Sequence, residues 1–253
     1  RIYDKLQNIW KGSVTSYFPA FHVRNALGNI FNNFVAGVKN PQSYLDASTI
    51  QKGTGILPDT LKKLIPNANT YEDARKILAE LGVTSEGQFA VESVGEIEKL
   101  MGKATGRKLA EAPRAVGKAI ENNARIAHYV EQISKGMPTD EAAKSVNKFL
   151  FDYSDLTPFE RNVLKRIMPF YTFSRKNIPL QIEQIFKQPV KYKAVIDAVR
   201  GLQSGDLTPE EKKYMPDYLL EKFGINLGRS KKGYPQILSG LGLPVEDLEK
   251  LGK

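Results

Sequence analysis

Apolar residues recur along this chain at intervals of three and four, the period of helices turned toward a core. From about His22 to Val38, Leu27, Phe31, Phe34 and Val38 form such a stripe, with Ala26 and Ile30 beside it. Asn25, Asn29 and Asn32 share another face of that helix. Asparagine amides compete for backbone groups, so a row of them suits hydrogen bonding to a neighbouring helix or subunit, or simply faces water. Thr70 predicts an N-cap for TYEDARKILAELG, with Glu72 and Asp73 in the first turn and Gly82 past the end. Ala74, Ile77, Leu78 and Leu81 are its expected buried face. The longest predicted helix runs over about 111–136. Its Ala112, Val116, Ala119, Asn123, Ile126, Val130, Ile133 and Met137 make a heptad seam in which Asn123 fixes register. A single helix in an ordinary bundle gives the same pattern. Thr139 is then expected to cap a helix with Ala142, Val146, Phe149 and Tyr153 on one face.

That helix leads into Phe149–Tyr192, which holds nine of the chain's 24 aromatics and is therefore expected to form the centre of the core. Thr157-Pro158-Phe159-Glu160 reads as a capping box with proline at the first helical position. Pro169 stops that helix, and Asn177 with Pro179 starts another that Pro189 closes. The expected result is a proline-kinked helical pair joined by an aromatic elbow at Phe170-Tyr171-Thr172-Phe173, with Phe159, Val163, Leu164 and Ile167 turned inward. Helices from Val190, Thr208 and Pro216 follow, then a Gly/Pro-rich tail with a small helix from Val245. No clean two-residue alternation and no internal repeat stand out. The fold class is all-α: an irregular multi-helix bundle with one long helix and an extended C-terminal tail. Its expected divisions are a loop-connected helical region over 1–110, a main bundle over 111–225 and the tail over 226–253.

Composition narrows the chemistry. The 253 residues carry a net charge of +9 and no cysteine, which removes disulfides, thiolate metal sites and a cysteine nucleophile. No apolar run reaches the ~18–20 residues of a spanning helix. The chain opens on Arg1 rather than methionine, as expected of a processed or excised piece. An amphipathic start, Arg1 to Val14, carries the lone Trp10.

Catalytic inventory is thin. His22 and His128 lack spaced ligand partners, and His128 falls with Glu121, Arg125 and Glu131 on the polar, expectedly solvated side of the long helix. Gly95 to Lys103 has the wrong glycine spacing for a phosphate loop. Glu92-Ser93 resembles the opening of a lytic transglycosylase site, but the segments that shape that cleft are missing. The expectation is no enzyme, no cofactor and no metal.

Basic surface is the positive signal. Residues 157–200 hold nine cations against three acids, with Arg161, Lys165, Arg166, Arg175 and Lys176 near the elbow. Such a face can contact DNA phosphates or an acidic partner, or stay solvated and salt-bridged.

FDYSDLTPFERNVLKRIMPFYTFSRKNIPLQ and FPAFHVRNALGNIFNNFVAG resemble segments of very large tailed-bacteriophage virion proteins of the internal or ejection type, which are often polyprotein-like. The resemblance implies a structural module that packs against copies of itself or other virion proteins. It implies residence in the virion (capsid, portal or tail channel) after a cytoplasmic stage in the infected bacterium. Asn25, Asn29, Asn32 and Asn123 are the expected interface residues. A non-specific nucleic-acid-binding helical module is the second reading, and a domain of a larger phage enzyme polyprotein without its own active site the third. Membrane contact is the lesser possibility for partners, since the polar face of the Asn-bearing helix offers only Arg24.

Overall fold

The computed structural model describes residues 19–84, 103–152, 156–164, 167, 171–204, 207–216, 224–241 and 243. The elements are α1 (Pro19–Ala36), α2 (Pro41–Lys52), α3 (Asp59–Lys62), α4 (Tyr71–Glu80), α5 (Lys103–Ser134) and α6 (Thr139–Phe149). A π-helical turn (Glu160–Leu164) follows, then α7 (Tyr171–Lys187), α8 (Pro189–Ser204), α9 (Pro209–Tyr214) and the strands β1 (Gly224–Arg229) and β2 (Pro235–Ser239). The fold is all-α, with one small antiparallel hairpin in the tail.

Local chemistry sets the helix starts. Thr70 and Asp73 form a reciprocal capping box for α4, and Thr208 and Glu211 another for α9. Asn40 accepts the Gln42 amide at 3.0 Å to begin α2, with Pro41 in its first turn. The Thr157–Glu160 box also closes, through Thr157 N to Glu160 Oε2 at 2.9 Å and Glu160 N to Thr157 Oγ1 at 3.3 Å.

Three helices depart from the expected boundaries. Thr139 is the first residue of α6, whose N-cap is Pro138 with no side-chain cap. The long helix begins at Lys103, so residues 110 and 111 are both internal to it. Asn177 and Pro179 lie inside α7, which runs unbroken from Tyr171; the anticipated elbow residues Tyr171, Thr172 and Phe173 are its first turn. A proline inside a helix deletes one backbone hydrogen bond, and flanking helical residues outweigh it.

The centre of the molecule is the C-terminal half of α5, which packs against α1, α2 and α6. Ile126, Tyr129 and Val130 are buried there with Ile50, Leu57, Ile65, Leu78, Val83, Ala142, Val146 and Leu150. This corrects the expectation that Phe149–Tyr192 forms the core. Phe159 is 61% exposed, Ile167 66% and Phe173 41%, and Val163 is also exposed. The seam of α5 divides too: Ile126 and Val130 are buried, whereas Val116 and Ala119 face solvent.

A second, smaller cluster joins α1 to α8 and the tail through Phe31, Val35, Tyr192, Val199, Leu241 and Leu243. The tail is thus anchored across the surface, and Arg24 Nε donates to Gly240 O at 2.7 Å. The hairpin pairs Ile225 with Leu238 and Asn226 with Ile237, with left-handed Gly228 in the bulge before Arg229–Pro235 and left-handed Gly233 at the turn. Arg229 grips both Glu211 carboxylate oxygens at 2.7 and 3.0 Å, tying the hairpin to α9 and holding the Glu211 carboxyl down to about 2.

Candidate interaction site

Two helices turn polar stripes inward, and the site emerges from the contrast between them. On α5, Glu121, Arg125, His128 and Gln132 recur at spacings of four, three and four, and all are buried, as is Glu131. The sequence expectation of a solvated polar side is corrected here. This stretch of α5 is surrounded on every side, so its polar stripe must find partners within the protein.

It does so densely. The Arg125 guanidinium, 1% exposed, donates to Val83 O at 2.6 Å, Leu150 O at 2.8 Å, Phe151 O at 2.9 Å and Asn147 Oδ1 at 2.6 Å. One side chain therefore terminates the chain ends after α4 and α6. Glu131 accepts the Lys39 and Asn40 amides at 2.9 and 3.0 Å, the Ser43 hydroxyl at 3.3 Å and Lys135 Nζ at 2.7 Å. Burial raises the pKa of that carboxyl, but the Lys135 ammonium and the Lys39 and Asn40 amides outweigh it and the net shift is downward.

His128 lies between α1 and α6. Asn33 Oδ1, 2.9 Å from Nδ1, can only accept, so Nδ1 carries the proton; Nε2, 2.8 Å away, accepts from the Ser145 hydroxyl. Burial first, and the Arg125 cation second, push the His128 pKa down to about 3. Both ring nitrogens are engaged, which leaves the imidazole no free position for proton transfer to a substrate.

Along α7 and one residue past its end the inward stripe is Asn177, Gln181, Gln184 and Gln188, at the same spacings of four, three and four, with Gln181 and Gln184 buried and the other two half-buried. Gln181 Nε2 donates to Asn32 Oδ1 at 3.1 Å and to Asn177 Oδ1 at 2.9 Å, and Tyr192 donates to Gln181 Oε1 at 2.6 Å. Gln188 Nε2 and Lys191 Nζ reach Val35 O at 3.2 and 2.8 Å, capping carbonyls at the end of α1.

The opposite side of α7 faces solvent and is apolar. Ile178 is 57% exposed, Ile182 51% and Phe186 83%, one above another at spacing four. Fully burying a side chain of this kind yields about 1.5–3 kcal/mol, so a stacked trio left in water marks a contact surface. Its borders are charged. Lys148 and Lys187 both reach Glu183 Oε1 at 2.7 Å, and Arg175 Nε pairs with Glu160 Oε1 at 2.6 Å. The Glu183 carboxyl is held below the usual range, chiefly by hydrogen bonds from Lys148 and then Lys187.

The residues singled out from sequence are dispersed. Arg175 and Lys176 stand on α7; the Arg161 side chain, Lys165 and Arg166 lie outside the described residues, as do Trp10, Glu92, Phe170, the Gly95–Lys103 stretch before Lys103 and the expected helices after Pro216 and Val245. Asn32 joins α7 as above, and Asn123 Nδ2 donates to Tyr44 O at 3.1 Å. Asn29 and Asn123 line a cleft of about 450 Å³ with Ile30, Tyr44 and Ala119, and Asn29 Nδ2 there is buried without a hydrogen-bond partner. Asn25 is half-buried on α1.

Sequence reasoning missed the Ile178–Ile182–Phe186 face. Its four-residue spacing was legible, but so was the carboxamide stripe opposite, and the ordinary assumption puts the apolar side inside. Among the described residues no group of three or more His, Asp or Glu side chains is placed to hold a metal, and no helix is long and apolar enough to cross a membrane. No family model matches the sequence, and neither curated proteins nor solved structures give a match.

Proposed function

We propose that this chain is a non-enzymatic helical docking module of a tailed-phage virion, packing against other virion proteins or copies of itself. The observation that carries the reading is α7, whose Gln181 and Gln184 are buried while Ile178, Ile182 and Phe186 face outward. Apolar side chains stacked on one exposed helix face gain stability only when a partner covers them. Placement in a phage particle rests on the resemblance of the α1 and α7 segments to virion-protein sequences. A virion scaffold also suits α5, where buried polar contacts tie α1, α2, α4 and α6 into one body behind the docking face.

Sedimentation velocity of the chain, alone and with proteins of a tailed-phage particle, tests the reading. Complexes that disappear in the Ile182→Ser/Phe186→Ser double variant support it; a monomer that engages nothing, with or without the substitutions, overturns it. The cation surplus of residues 157–200 favours DNA phosphates as the second reading. That reading requires DNA affinity that falls steeply with salt and fails when Arg175 and Lys176 become glutamate.

A further inference from the structure

We propose that the Ile178–Ile182–Phe186 face of α7 seats an amphipathic helix bordered by glutamate or aspartate, supplied by a different protein rather than by a second copy of this chain. The inference rests on reading α7 as a docking face and adds the chemistry of what docks. From Ile178 to Phe186 the apolar row covers roughly 12 Å at 1.5 Å per residue, a little over two turns. That length fits the apolar seam of one helix laid along it.

Charge selects the partner. Arg175 is matched by Glu160, so the balance beside the apolar row is set by Glu183 and the lysines around it. Glu183 is already shared between Lys187 and Lys148, one carboxylate between two ammonium groups. The border of the apolar row therefore keeps a positive surplus that carboxylates on an incoming helix complement.

Self-pairing fails on the same residues. Lys176, Glu183 and Lys187 fall seven and four apart, on one border of the face. An antiparallel pair centred on Ile182 stacks Ile178 on Phe186 of the second copy. It also sets Glu183 beside Glu183 and Lys187 beside Lys176, like against like. A parallel pair instead turns that border toward Ser174 and Ile185, which offer the lysines no carboxylate.

The experiment uses the full chain and two labelled synthetic helical peptides with the same leucine seam, one bordered by glutamate and the other by lysine. Fluorescence anisotropy at moderate salt is expected to show the glutamate peptide binding at least tenfold more tightly. Ile182→Ser/Phe186→Ser should weaken it tenfold or more with unchanged thermal unfolding, and Lys176→Glu/Lys187→Glu should invert the preference. Equal binding of the two peptides, or binding of neither, overturns the inference. So does Phe186-dependent self-association, or Phe186-dependent binding to phosphatidylglycerol vesicles in place of the peptide; either leaves the docking face standing with another occupant. Loss of every Phe186-dependent association removes the docking reading as well.

Discussion

Glu121, Arg125, His128 and Gln132 on α5 and Asn177, Gln181 and Gln184 on α7, continued by Gln188 just past its end, follow one spacing, and both rows lie on the inner side of their helices. On α5 the opposite side is inside as well, so apolar packing and hydrogen bonding act on the same helix. On α7 the opposite side is Ile178, Ile182 and Phe186 in water. Hydrogen bonds made inside a protein replace bonds to water and net only about 0.5–1.5 kcal/mol each. A helix whose inner side offers Gln181 and Gln184 with only Leu180 and part of Ile185 as apolar contacts is therefore attached specifically but less strongly than α5. The difference separates a helix that organises the fold from one that the fold presents.

The comparison can be broken first at Arg125. Replacing it with methionine leaves the carbonyls of Val83, Leu150 and Phe151 without their donor inside the protein. The expected loss is about 3–5 kcal/mol in urea unfolding. A loss under 1 kcal/mol would mean that α5 is no more locked than α7.

The next largest effect is on pH. The unfolded chain protonates His128 near 6.5 and the folded chain near 3, so the unfolded state binds more protons between those values. Stability is complete above pH 6.5 and falls as pH drops toward 3, by up to ~1.4 kcal/mol per pH unit. Glu131 and Glu183, with lowered pKa, add acid sensitivity only below 4.5, the ordinary glutamate value. The interval from 6.5 to 4.5 therefore reports the histidine, and His128→Gln should flatten about 2–3 kcal/mol of slope there.

A smaller change sharpens the picture from the other direction. The Tyr129 hydroxyl is buried without a hydrogen-bond partner, so Tyr129→Phe should raise the unfolding free energy by about 1 kcal/mol. Destabilisation would place an unseen acceptor beside it. Smallest of all, Ile182→Ser with Phe186→Ser should shift stability by no more than about 0.5 kcal/mol per site while removing association.

Much of this was readable in the residues. The capping boxes at Thr70, Thr157 and Thr208, the α4 face of Ala74 and Leu78 and the all-α class follow from local rules. What sequence left open was direction. Arginine and glutamate are rarely fully buried, so the α5 stripe read as solvated; only the groups on and after α1, α2, α4 and α6 that meet it decide otherwise, and those are distant in sequence. The aromatics of Phe149–Tyr192 looked like a core by number, yet Tyr192 is buried and Phe186 is not. The hairpin escaped notice because Gly228, the bulge and Pro235 interrupt its alternation. Asn29 and Asn123 stood out in the sequence as interface candidates, but that both line one cleft was not legible, since it requires α1 to cross α5.

A chain without cysteine permits the most direct test of polar-in, apolar-out packing on α7. Single cysteines at Gln181, Ile182, Gln184 and Phe186 would be titrated with a thiol reagent in the folded protein and in urea. Positions 182 and 186 should react at nearly the unfolded rate, and positions 181 and 184 at least a hundredfold more slowly. Protection at 182 and 186 with free reaction at 181 and 184 would show α7 turned the ordinary way round, and the docking face would be gone.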